Sequence, residues 1–329
     1  MSTETSTFFA SPPPGVALEI AASHVTALTL SRSGREYVIS AYAVEPLTPG
    51  VVTPTLNGPN VHDQTSLAST ITQALQKVSS RARRVALVLP DTVAKVSLIR
   101  FEKVPAKAQD LDQLVRWQVR KAAPFRIEDA QVSWIPGTPL DGGGREFVVT
   151  LARRDVIESF ERACDAAGVH AGLIDIATFG AINAQMAATA AAPASGDWLL
   201  VHLATDYVTI AVIRGQHLVF FRNRPLGAEA DLTDLVHQTA MYHEDRLGGG
   251  GFARVVLSGV SMTGVEQAER LRRAIEERVG GKVELLDVRT AAPMRDRISA
   301  NPGLLDALAA PAGMLLREHL NASGAGRVA

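Results

Sequence analysis

Two segments have the outline of a phosphate-binding hairpin. One is Val16–Leu30, with Glu19, Ala21 and Ser23 leading through its turn, and the other is Leu200–Val212, with His202, Ala204 and Thr205 in the matching places. A working hairpin of this kind uses an acidic residue to hold a metal's water and, two positions later, a glycine that lets bare backbone N–H groups approach the phosphates. Here both glycine positions carry alanine, and the second acid is a histidine. The strand–turn–strand frame is intact while its chemistry is damaged.

No other residue set makes up the loss. Asp141-Gly142-Gly143-Gly144 joins two strand-like runs with no lysine and no following helix, so it reads as a turn rather than a phosphate loop. Gly248 to Gly251 follows a helix and precedes a strand, which marks a connector. His237 and His243 stand six apart in a helical pattern and face different ways, whereas a metal needs convergent ligands; with Glu244 and Asp245 they read as an exposed helix end. Ser258 and Ser261 lack a Gly-x-Ser-x-Gly elbow and the acid and histidine of a hydrolase triad. Cys164 repeats with Val156, Ile157 and Phe160 at helical spacing, the mark of a small buried side chain.

Composition narrows the remaining classes. Among 329 residues, 33 basic groups balance 34 acidic ones and only 5% are aromatic, so neither the charge nor the stacking surface for nucleic-acid binding is present. Arg81 to Arg84 precedes the apolar run Val85–Leu89 and reads as a solvated strand edge. Apolar runs are strand-length, far below the ~20 residues a membrane helix needs. The Ser/Thr/Pro-rich start up to Pro14 is expected to be a disordered lead rather than a signal peptide, and a lone cysteine fits a reducing compartment, the cytoplasm by default.

The elements that must position the hairpins occur twice. Strands are expected at 16–21, 25–31 and 36–44, a helix at 65–80 and a strand at 85–89. A compact unit follows, with strand 95–101, helix 107–122, strands 128–135 and 146–152, and helix 153–167. After strand 172–176 and helix 178–188, a linker-like Ala/Pro/Ser stretch reaches Gly196. The opening pattern then repeats: strands 198–204, 207–213 and 217–223, a helix within 229–246, strand 254–258, helix 264–279, strand 282–287 and a closing helix at 303–319. Two halves beginning with one three-stranded meander form an internal repeat at domain scale.

The middle unit carries the most specific resemblance. Leu111 to Phe125, a helix ending in Pro124-Phe125, together with Val132-Ser133-Trp134 and the strand Phe147–Ala152, resembles the PilM family of type IV pilus assembly proteins, itself similar to the cell-division protein FtsA. Ser31–Gly34, Ala41–Leu47 and Pro49–Val52 match its opening lobe, and the resemblance runs over roughly residues 16 to 319. It implies an α/β, two-lobed actin-like (duplicated ribonuclease H-like) fold with an inserted small α+β subdomain. The implied division is a first lobe from 15–90, 168–190 and 303–319, an insert at 91–167, a second lobe at 197–302, and disordered ends at 1–14 and 320–329.

Departures from the family bear on function. Its first hairpin ends in a lysine where this chain has Thr26, and its paired glycines under the adenosine correspond to Gly259 and Val260 after Ser258. Between Pro225-Leu226-Gly227 and the helix ending at Leu247, the helical subdomain that walls the nucleotide cleft is reduced to about a dozen residues. A cleft so opened excludes water poorly, and dry closure is what makes phosphate electrostatics strong. The vestigial cleft is therefore assigned to Glu19, Ala21, Ser23, His202, Ala204, Thr205, Gly227, Ser258 and Gly259. Mg-ATP binding is disfavoured, hydrolysis more so, and no metal or other cofactor is expected.

The resemblance further implies binding of the cytoplasmic tail of a bitopic PilN-like membrane protein, in a groove between the opening lobe and the insert, and contact with pilus motor or platform proteins. Trp117, Arg116, Arg120 and Phe125 are the candidates for that contact, since Trp and Arg at a groove are favoured anchors. For Trp117, ordinary packing is the stronger reading. The expectation is a non-catalytic scaffold reaching the inner membrane only through partners. Two rivals stay open: an actin-like ATPase or sugar-kinase-like phosphotransferase using Glu19 and His202 as atypical ligands, and a filament-forming structural protein.

Overall fold

Val16, Leu18 and Ile20 are all buried, and so is Ala17 between them, because β1 (Val16–Ile20) lies at the centre of a sheet covered on both faces. It forms an antiparallel meander with β2 (His24–Ser33) and β3 (Glu36–Pro46). Helix α1 (Gln64–Val78) is capped by Asp63, which accepts from the Ser66 amide, and buries Leu67, Ile71 and Leu75 as one stripe. It returns the chain so that β4 (Arg84–Leu89) pairs parallel to β1 on its free side. This computed structural model describes residues 14–34, 36–79, 81–190, 194–226, 232–295 and 300–322. Gly227, nearly all of the expected N-terminal lead and most of the expected C-terminal tail lie outside the described residues.

A single-turn helix at Asp91–Val93 leads into the insert. There β5 (Ala94–Phe101), β6 (Ala130–Pro139) and β7 (Arg145–Arg153) form an antiparallel sheet in the order β5-β7-β6. The triple glycine is the β6–β7 turn, with φ of 77° at Gly142 and 87° at Gly143, a region only glycine enters freely. Helix α2 (Ala108–Arg120) covers one face of this sheet, packing Leu111, Val115 and Val119 with Phe147, Val149 and Leu151. The alternate β7 residues Val148, Thr150 and Ala152 face the other way.

Helix α3 (Arg154–Ala166) carries the chain back and buries Phe160, Ala163 and Cys164 in the first-lobe core. Burial pushes the Cys164 thiol up to about 12, consistent with an inert side chain. Strand β8 (His170–Ile176) adds parallel to β4, completing the order β3-β2-β1-β4-β8. Helix α4 (Ala177–Ala188) is buried on every side from Ala177 through Gln185.

The second half repeats the first. β9 (Trp198–Leu203), β10 (Tyr207–Arg214) and β11 (His217–Pro225) form the meander, α5 (Leu232–Leu247) returns the chain, β12 (Arg254–Ser258) pairs parallel to β9, and α6 (Val265–Val279) leads to β13 (Val283–Leu285). The order β11-β10-β9-β12-β13 matches the first sheet strand for strand. β13 is shorter than the expected 282–287 because Asp287 accepts from the Arg289 amide and turns the chain into a helical turn. Helix α7 (Pro302–Ala322) returns to the first lobe and crosses α4 closely: a β-carbon on Gly313 would overlap the Gly180 carbonyl, and one on Gly180 the Ala310 carbonyl. Two lobes of one topology, with the small sheet set into the first, make the expected two-lobed actin-like architecture with a reduced helical part in the second lobe.

Candidate functional site

A cavity of about 410 Å³ lies between the lobes, and Glu19, Ala21, His202, Ala204, Thr205 and Gly259 all line it. Each hairpin turn is closed by its own backbone: the Ala21 amide donates to the His24 carbonyl and the Ala204 amide to the Tyr207 carbonyl, both at 2.9 Å. At the turns the hairpins touch, Ser23 Oγ standing 3.3 Å from Thr205 Oγ1. Gly259 has a packing reason of its own. At φ 81° it passes so close to β9 that a β-carbon would overlap the Leu203 carbonyl oxygen.

The cleft's ionisable groups are acids, two histidines and Tyr207, beside the neutral Thr205 and Gln267, and no lysine or arginine is among the described residues lining it. Burial, with the nearby negative charge of Asp91, pushes the Glu19 carboxyl up to about 8. Burial also raises Asp306 and Asp206 and lowers His202 and His24. His202 Nδ1 lies 3.4 Å from Ser258 Oγ, and the serine is fully buried, so it offers no nucleophile to solvent. Asp306 on α7 accepts from the Ser261 amide at 2.7 Å, a link from the second lobe to the helix that packs on the first.

One acid at the base of the lobes was not singled out by sequence. Asp91 is fully buried and accepts from the Thr178 amide at 3.0 Å, from the Thr178 hydroxyl, and from the Thr209 hydroxyl at 2.5 Å. Asn223 Nδ2 donates in turn to Thr209 Oγ1 at 2.8 Å. Thr178 starts α4 in the first lobe, whereas Thr209 and Asn223 stand on β10 and β11 in the second. The only sequence signal was an acid two residues after the apolar run Val85–Leu89, which equally fits a solvated strand end.

A second cavity, about 520 Å³, runs between the first lobe and the insert. Its floor is the face of the small sheet away from α2, with Ser133, Ile135, Val148 and Thr150; Ile157, Glu158 and Glu161 of α3 and Leu173 to Ile176 of β8 form the walls. Strands β6 and β8 are each the last strand of their sheets. At the inner end Arg317 holds Asp175 at 3.0 Å, yet burial outweighs that cation and raises Asp175 to about 6.

None of Trp117, Arg116, Arg120 or Phe125 lines this groove. Trp117 is not core packing either, being 63% exposed. The buried stripe of α2 is Leu111, Val115 and Val119, and Trp117 is two residues off it, so it turns to the outer side of the helix. Arg116 pairs with Asp112 at 2.8 Å, and Phe125 is half-buried against the α2 core. The small sheet thus separates these residues from the groove. Sequence placed them at a groove because an aromatic among arginines resembles an anchor; the groove's own residues, mostly aliphatic and hydroxyl side chains alternating along strands, carry no such mark.

The expectation of an exposed helix end at His243 is overturned. His243 is fully buried, with Nε2 2.6 Å from Asp197 Oδ2 and its ring stacked on Phe252 at 4.5 Å. Among the described residues no group of three or more His, Cys, Asp or Glu is placed to hold a metal ion, and no helix is long and apolar enough to cross a membrane.

Duplicated five-stranded sheets meeting at a cleft, with a small sheet inserted after the fourth strand, define an actin-like protein of the subclass carrying an FtsA- or PilM-type insert. Residues 17–246 match the family described as type IV pilus assembly protein PilM, and the chain belongs to that family. Among solved structures it is similar to the "PilM-PilN type IV pilus biogenesis complex", with a TM-score of 0.79 and 20% identity over 92% of this chain and 98% of that one. Weaker likenesses are to the cytoplasmic domain of EpsL, an inner membrane component of the type II secretion system of Vibrio cholerae (TM-score 0.46, 11% identity, 74% of this chain and 80% of that one), and to the ethanolamine utilization protein EutJ from Carboxydothermus hydrogenoformans (0.46, 10%, 93% and 90%).

Proposed function

We propose that this type IV pilus assembly protein works as a non-catalytic scaffold in the cytoplasm, at the inner membrane. It binds the cytoplasmic tail of a bitopic PilN-like protein in the lobe–insert groove and so couples the membrane platform to the motor. The observation that carries the reading is the groove itself: two terminal strands of different sheets face one long cavity, the geometry that accepts an extended peptide by backbone pairing with side-chain pockets for specificity. The similar solved structure is a PilM-PilN complex, which supports a PilN-like partner here.

The cleft supports a binding role over turnover. Nucleotide and metal do not fit its residues: no lysine or arginine is among the described residues lining the cleft, burial pushes the Glu19 carboxyl up to about 8, and both glycine positions carry a β-carbon. Contact with the membrane comes through the partner, and nucleic acid has no role.

The test is a titration of the full chain with a synthetic peptide. It spans the cytoplasmic segment preceding the membrane helix of a candidate single-span PilN-like protein. Saturable binding is expected; no measurable affinity for any such tail sinks the proposal.

A further inference from the structure

Asp91 lies at the root of the insert, and its three acceptor contacts run to both lobes. Immediately before it in sequence comes Leu89-Pro90 at the end of β4, and after Thr92 the chain enters the insert through Val93 and Ala94; Leu89, Val93 and Ala94 all line the groove. Its partner Thr178 directly follows Ile176-Ala177 at the end of β8, whose Asp175 and Ile176 also line the groove. β4 and β8 are neighbouring strands, with Leu89 paired to Ile176, so the Asp91–Thr178 contacts fasten the root of the insert at Val93 and Ala94 to the β8–α4 junction at the inner end of the groove. The Asp91–Thr209 contact ties that junction to β10 in the second lobe, next to the hairpin turn at Ala204–Tyr207.

The chemistry suits a fixed tie. A buried carboxyl group with an amide donating to one oxygen and two hydroxyls to the other is held at both oxygens, and each donor would be left orphaned if it moved away. Thr178 sits in the first turn of α4, where an otherwise unpaired helical amide is available to an acidic oxygen. Thr209 is itself oriented by Asn223, so the second-lobe arm is also held from behind. Asp91 is not among the residues lining the interlobe cavity; its side chain is spent on the junction.

We infer that Asp91 is the positioning residue of the tail groove: through Thr178 it sets the width of the groove's inner end, and through Thr209 it makes that width depend on the posture of the second lobe. This rests on the groove being the tail site. The second-lobe hairpin would then influence tail binding without touching the tail, since any shift of β10 pulls on the same carboxyl group.

The experiment compares D91N, T178V and T209V in the full chain, using the synthetic tail peptide as ligand and amide hydrogen exchange as a ligand-free readout. Ser40→Ala, which removes a hydroxyl contact with Thr29 on the β2–β3 meander, serves as the stability control. D91N and T178V are expected to speed exchange at Val93, Ala94, Ile174 and Ile176 and to weaken the peptide about tenfold, which is about 1.4 kcal/mol. T209V is expected to weaken it less, while S40A leaves both readouts at the wild-type value. Exchange and affinity unchanged in folded D91N and T178V overturn the inference, as does an equal effect of S40A. If the wild type binds no tail, the function proposed above fails, and the exchange arm still decides whether Asp91 sets the junction.

Discussion

Ser23 Oγ and Thr205 Oγ1 lie 3.3 Å apart, although their residues are 182 positions distant in the chain. The hairpins that carry them occupy equivalent places in two lobes of the same topology, so their meeting is a product of the duplication. The two hydroxyls bond each other across the lobes. Behind them the cleft presents Glu19, Asp206 and Asp306 with no cation among its described lining residues. A polyanion entering it would meet like charge or a neutral acid and would lose its hydration without replacement.

Calorimetric titration with Mg-ATP is therefore expected to show no saturable heat in the micromolar range. Micromolar binding that requires Mg would restore the ATPase reading. The double variant A21G/A204G separates the steric cause from the electrostatic one: it should remain silent, because removing two β-carbons supplies no positive charge.

Glu19 gives a pH dependence of definite sign. Its carboxyl is raised from 4.5 in the unfolded chain to about 8 in the folded one. Between these values the folded chain keeps a proton that the unfolded chain has shed, so stability from this group falls as pH rises through the window and levels off above it. Glu19→Gln removes the linkage. Urea midpoints should show the variant gaining on the wild type as pH goes from about 5 to about 8, and a difference that is the same at both ends would show that burial of Glu19 is not what is being measured.

Gly313 tests the helix crossing. In an exposed helix interior, glycine to alanine usually stabilises by about 1 kcal/mol. Here the added methyl would overlap the Gly180 carbonyl, so Gly313→Ala should destabilise by about 1–3 kcal/mol. Equilibrium unfolding reads the sign directly, and a stabilised variant would mean that α4 and α7 have room to part.

Much of this was legible in sequence for physical reasons, and the failures are equally specific. Apolar strand runs flanked by tight turns marked both meanders, because a central strand buried on both faces is apolar almost throughout; β1 and β9 each carry a single polar residue, Glu19 and His202. The cleft residues followed, since the turns that position them are local. Asp91 did not, because its partners Thr178 and Thr209 are 87 and 118 residues away and no periodicity encodes them. His243 was misread for a related reason: a polar residue near a helix end looks solvated until Asp197, 46 residues earlier, is brought against it. For Trp117, at the edge of the α2 core face, packing was the stronger reading, and the ring instead stands 63% exposed on the outer side of the helix.

That last point separates two places where a tail could bind. Ile157 faces the groove from α3, while Trp117 stands on the far side of the small sheet, across α2. An arginine at Ile157 puts a charge into the aliphatic part of the groove wall, where it would have to be desolvated against a docked peptide, and at least about a tenfold loss of peptide affinity is expected. Trp117→Ala removes a large exposed ring and should leave that affinity within about twofold, since no groove contact is lost. Fluorescence anisotropy with a labelled tail peptide measures both variants. If Trp117→Ala abolishes binding and Ile157→Arg does not, the tail occupies the outer face of α2, and the groove between the two terminal strands is not the docking site.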